Sequence, residues 1–111
     1  FKINGNIFKK VNKFLSDPNL NASKVNFEVK KNVLLIRIGE DKSKHIMIRE
    51  EDINYKDVNA TYSKIINDIL SVLTENEFEI FISNNYPLTI KESGDRYLVK
   101  YVIAPLVGDE S

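Results

Sequence analysis

Between Asn6 and Ser16 the apolar residues Ile7, Phe8, Val11, Phe14 and Leu15 fall on one helical stripe, with polar residues around the rest of the turn. The spacing predicts an amphipathic helix over residues 6–16. Asp17-Pro18 ends it, because the residue before a proline is pushed out of the helical region. A short strand is expected ahead of the helix, over residues 1–3. Behind it the period changes to two, and three strands are expected over residues 25–29, 32–39 and 45–50. Lys30-Lys31 and Glu40-Asp41-Lys42-Ser43 supply the polar turns between them.

The same order then returns. A strand is expected within residues 53–59, then a second amphipathic helix over residues 61–74. Tyr62, Ile65, Ile66, Ile69, Val72 and Leu73 stand at helical spacing there. Three strands follow over residues 77–83, 87–92 and 97–103. The pattern is βαβββ twice over, a likeness of element order without residue identity between the halves. Each half leaves a helix stripe and a sheet face to bury, so the two are expected to pack as one α+β domain over residues 1–107, with a tail over 108–111. The two helices are expected to lie on antiparallel sheet.

Composition narrows the chemistry. The chain has 111 residues, 42% hydrophobic and 29% charged, enough for its own core. Lys+Arg and Asp+Glu balance at 16 each, so no bulk field pulls the whole surface onto nucleic acid. Without cysteine there is no disulfide framework, no thiolate nucleophile and no zinc-finger spacing. No apolar run reaches the length of a membrane span, and an intracellular protein is expected, cytoplasmic or nuclear according to its source. His45 is the single histidine and has no nucleophile or acid motif beside it. Glu50-Glu51-Asp52 reads as a solvated turn rather than a metal site, because adjacent carboxylates point apart. No Gly-rich phosphate loop, nucleophile motif or paired acids appear, so neither an enzyme nor a cofactor is expected.

The last quarter is the most specific stretch. Residues 86–107 read YPLTIKESGDRYLVKYVIAPLV, a hairpin whose strands meet at Ser93-Gly94-Asp95-Arg96 and which closes on Ala104-Pro105. A Pro-Leu strand, a glycine turn, a tyrosine-rich strand and a closing Ala-Pro resemble the C-terminal domain of the PCNA family of DNA sliding clamps. The resemblance is strongest over residues 60–107, and the doubled βαβββ order of the whole chain is also that of one clamp domain. It implies a sliding-clamp (processivity) fold and a DNA polymerase processivity factor with roles in DNA replication and repair.

The resemblance also assigns residues. Clamp helices line the central hole, which implies that Lys9, Lys10, Lys13 and Lys64 face duplex DNA without reading its sequence. By spacing alone the same lysines suit an ordinary solvated helix face. The strand of His45, Ile46, Met47, Ile48 and Arg49 corresponds to the family's edge strand, which pairs with the neighbouring subunit. A protected, solvated edge is the other reading. Clamps dock the PIP-box peptides of DNA polymerase, ligase, nuclease and clamp loader in an apolar pocket, which maps here to Pro87, Val102, Ala104, Pro105, Leu106 and Val107. Val102 stands where many members carry an aromatic and Leu106 where a basic residue is usual, which implies a wider or shallower pocket and a more apolar tail. The backbone after Pro105 is expected to accept a partner strand.

Geometry bears on assembly. A chain of this size is a ball roughly 34 Å across, from a radius of gyration of about 13 Å. Six in a hexagon leave a hole of roughly 34 Å, enough for a duplex about 20 Å wide, whereas three leave about 5 Å. The chain begins at Phe1 rather than Met, and we expect a second domain in each subunit of a trimeric ring. The alternative is an interaction module with a clamp-like fold that never encircles DNA, which the nearly neutral polar face of the second helix keeps open.

Overall fold

The computed structural model describes residues 1–20, 22–41, 44–71, 77–84, 86–94 and 97–106. Along the chain run β1 (Lys2–Asn4), α1 (Gly5–Leu15), β2 (Lys24–Lys30), β3 (Val33–Asp41), β4 (Lys44–Glu50), β5 (Val58–Ser63), α2 (Ile66–Leu70), β6 (Glu77–Phe81), β7 (Leu88–Gly94) and β8 (Tyr97–Ile103). This is the expected βαβββ order, twice.

Helix α1 forms where its periodicity predicts. Ile7, Phe8, Val11 and Leu15 are buried on its inner face, and Phe14 packs at the margin. Full burial of side chains such as Val11 and Leu15 stabilises by about 1.5–3 kcal/mol each. Asn4 caps the start, its side chain accepting the Asn6 amide at 2.8 Å. Past Ser16, Asp17 closes the exit turn by accepting the Asn19 amide on its carboxylate at 2.9 Å.

The strands form two four-stranded antiparallel sheets, ordered β1-β6-β7-β8 and β4-β3-β2-β5. Each half therefore lends its first strand to the other half's sheet. β1 joins β6, with Ile3 opposite Phe78, and β5 joins β2, with Ala60 opposite Phe27. Alternation sets the inner faces: Val25, Phe27 and Val29 on β2, Leu34, Ile36 and Ile38 on β3, Phe78 and Ile80 on β6 are all buried. They join α1 and α2 in one core cluster. Edge-to-face aromatic pairs sit inside it, Phe8 on Phe78 at 5.3 Å and Phe27 on Tyr62 at 5.8 Å between centroids.

The solvent face of the second sheet is tied across three strands by polar groups. Arg37 donates to Glu28 at 2.8 Å and to Asn26 at 3.2 Å, while the Asn26 amide donates to Asn59 at 2.7 Å and Thr61 at 2.9 Å.

Four expectations need correction. Glu40 and Asp41, expected in a turn, belong to β3, which pairs with β4 up to Asp41↔Lys44; residues 42 and 43 lie outside the described residues. Residues 61–63, expected in the second helix, are strand: Val58, Ala60 and Tyr62 alternate inward and pair with β2 through Lys24↔Ser63. The helix begins only at Ile66, after a turn in which the Ser63 hydroxyl accepts the Ile65 amide at 3.2 Å. The turn expected at Lys30-Lys31 is Lys31-Asn32, both with positive φ, as a two-residue hairpin requires. Ser93 and Gly94, expected in a turn, belong to β7, which pairs with β8 up to Gly94↔Tyr97; residues 95 and 96 lie outside the described residues.

Candidate functional site

Three surfaces collect the residues singled out in the sequence. The first is the helical face. Lys9, Lys10 and Lys13 are exposed on α1, and Lys64 is exposed in the turn before α2. The two helices are joined side by side: Asn12 donates to Asn67 at 2.7 Å, and Asn67 donates to the Ser16 hydroxyl at 2.9 Å. Lys13 also lies 5.8 Å from the Phe14 ring centroid. Against these cations α2 offers exposed Asp68. Lysines on helix faces can meet phosphates but carry no base-reading geometry of their own.

The second surface is the edge strand β4, which among the described residues pairs only with β3. Ile48 is buried and Ile46 packs against the core, while Met47 and Arg49 are exposed. Arg49 donates to Glu51 at 3.2 Å, an exposed pair. The side chain of His45 lies outside the described residues.

The third surface is apolar. Among the described residues, the large exposed hydrophobics include Ile65 (68%), Tyr86 (66%), Val102 (58%) and Leu106 (47%). Ile65, Ile66, Asp68 and Ile69 of the α2 region face Val102, Ile103 and Ala104 of the β8 end across a groove of about 270 Å³. Leu88 pairs with Ile103, so exposed Pro87 stands beside Ala104 just past the paired strands. Pro105 is half-buried, and the Leu106 amide donates to the Thr61 carbonyl at 2.8 Å. That bond commits part of the backbone expected to accept a partner strand. Val107 lies outside the described residues.

The structure thus brings Val102 and Ala104 together in one groove, while Pro87, Pro105 and Leu106 do not line it. It adds Ile65, Ile66 and Ile69, which sequence reasoning assigned to a buried stripe. Ile65 precedes the helix, which starts only at Ile66, so a helical stripe counted from residue 61 misplaced it. Phe81 was also missed, although its alternation with buried Phe78 and Ile80 places it on the solvent face.

Among the described residues no three His, Cys, Asp or Glu gather as a metal site, and no helix is long and apolar enough to cross a membrane. Burial pushes the Tyr62 phenol far above its ordinary range, aided by Tyr55, and it remains a neutral donor to the Tyr86 carbonyl at 3.2 Å.

No family model and no curated protein matches the chain by sequence. Solved structures do match. PCNA from Entamoeba histolytica superposes with a TM-score of 0.78 at 18% identity, over 96% of this chain and 44% of that one. A. fulgidus PCNA bound to the C-terminal region of FEN-1 gives 0.79 at 18% identity, over 97% and 46%. The DNA polymerase III subunit beta DnaN sliding clamp from Bartonella birtlesii gives 0.71 at 14% identity, over 96% and 32%. The chain spans less than half the length of each of these clamps, and its fold is that of a sliding-clamp domain.

Proposed function

We propose that the chain is one domain of a DNA sliding clamp, a non-enzymatic processivity factor that joins other clamp domains in a ring around duplex DNA. Residues 1–107 act as a single unit in this reading. The observation that carries it is the apolar groove at the end of β8, present in a chain whose fold matches clamps over nearly its whole length. Val102, Ala104 and Pro87, with Pro105 and Leu106 beside them, receive the PIP-box peptide, and Ile65 and Ile69 form the facing wall. Lys9, Lys10, Lys13 and Lys64 contact the phosphate backbone loosely, as sliding demands, and the edge of β4 from Ile46 to Arg49 extends a neighbour's sheet. A Cα radius of gyration of 13.5 Å supports the ring geometry, in which six such domains surround a duplex.

Titration of the ¹⁵N-labelled chain with a PIP-box peptide tests the reading. Saturable amide shifts centred on Tyr86, Leu88 and residues 102–106 are expected. Unchanged spectra at millimolar peptide would remove the partner-site assignment.

A second reading, an interaction module that never encircles DNA, draws on the near-neutral face of α2, where Lys64 is offset by Asp68. Gel filtration of the assembled protein on nicked circular and linearised DNA separates the two. A ring stays with the circle at high salt and slips off the linear form, whereas equal behaviour on both favours the module.

A further inference from the structure

The outer face of the β1-β6-β7-β8 sheet carries two neighbouring cross-strand rows of opposite character. Phe81, Thr89 and Val102 stand opposite one another across β6, β7 and β8. Two residues along each strand, and so on the same face, Lys2, Glu79, Lys91 and Lys100 form the second row across all four strands. Phe81 is 38% exposed, and Val102 is the groove wall described above. The apolar row therefore continues the groove across the sheet instead of standing apart from it.

The charged row is unbalanced. Glu79 stands between Lys2 and Lys91, facing both, but Lys100 at the far end faces Lys91 directly across β7 and β8. Like charges in opposed positions repel. Lys91 leans back over Phe81, its Nζ 4.9 Å from the ring centroid, so one cation is already held above the apolar row. A carboxylate between the two lysines would relieve the repulsion while an apolar side chain covers Phe81 and Val102.

We propose that this face is the second half of the docking surface. A partner segment that fills the groove continues in extended form over Val102 and Phe81. It sets an acidic side chain between Lys91 and Lys100, in the row that runs beside its apolar anchors. The occupant is an apolar-acidic peptide segment of another protein, and the inference rests on reading the groove as a peptide site.

Two peptides sharing one PIP-box core, flanked on both sides by aspartates in one and by serines in the other, distinguish the possibilities. Binding to the full chain is followed by amide shifts and fluorescence anisotropy. The aspartate peptide is expected to bind about fivefold tighter at low salt, with the advantage shrinking at high salt. It should also shift Phe81, Thr89, Lys91 and Lys100 together with the groove amides. In Lys91→Glu/Lys100→Glu, shown folded by its own amide spectrum, the preference should invert. Equal affinities with shifts confined to the groove overturn this inference and leave the peptide site standing. If neither peptide moves the groove amides, the peptide site falls and this inference with it.

Discussion

The Tyr55 hydroxyl donates to the Ile82 carbonyl at 2.7 Å and accepts the Ile82 amide at 2.9 Å. Two residues earlier on the same side, the Ile80 amide is taken by the Phe1 carbonyl. One phenol thus continues the pairing of β6 beyond the end of β1, and the Phe1 ring rests edge-on against it at 4.7 Å. Tyr55→Phe leaves both Ile82 groups unpaired and should cost about 1–3 kcal/mol, read as a lower urea midpoint at unchanged m. Tyr62 makes a pH-dependent prediction. Its folded-state pKa is raised, so the native state holds the proton more tightly than the unfolded chain, whose tyrosines titrate near about 10. Its stabilisation is whole below that pH and declines as pH rises further, by about 1.4 kcal/mol per unit. Urea midpoints at rising alkaline pH should fall less steeply in Tyr62→Phe, and an equal fall in both proteins would assign the loss to other groups. Neither tyrosine's role was legible in the sequence. Tyr55 sits in a polar stretch, and its partner is 27 residues away.

Elements were legible where one period dominated. Helix α1 follows its stripe, and β2, β3 and β6 follow their alternation. The failure lies at β5, where Tyr62 satisfies two periods at once. It continues the Val58, Ala60 alternation and also stands four residues before Ile66. Pairing with β2 decides between them, and long-range pairing leaves no mark in a local window. That error also hid the groove, since Ile65 lies outside the helix that was meant to bury it. Val102 and Ala104, which line the groove, were singled out through the clamp resemblance of the hairpin and its closing Ala-Pro, a local pattern. The β2–β3 turn yields a prediction of its own. Lys31 has φ 52°, a conformation that costs a residue with a Cβ about 1 kcal/mol. Its backbone amide, which donates to Asp57 at 3.1 Å, survives substitution. Lys31→Gly should therefore stabilise by about 0.5–1 kcal/mol and raise Tm by several degrees. A lower Tm would mean that the lysine side chain supports the turn in some other way.

At the scale of the whole molecule the order of elements and the resemblance to clamps were readable, but the exchange of first strands was not. Periodicity says which face of a strand is buried and nothing about which strand lies beside it. The exchange has a consequence for a broken chain. The only covalent link between the halves is the segment from Glu51 to Asp57, whose Glu51, Asp52 and Asn54 are exposed. A protease site inserted between Glu51 and Asp52 could be cut without releasing either fragment, because each keeps a strand stitched into the other's sheet. The nicked protein should elute from a sizing column as one particle and run as two bands only once denatured. Separation on the native column would mean that the shared core, rather than the stitched strands, needs an intact chain to hold it.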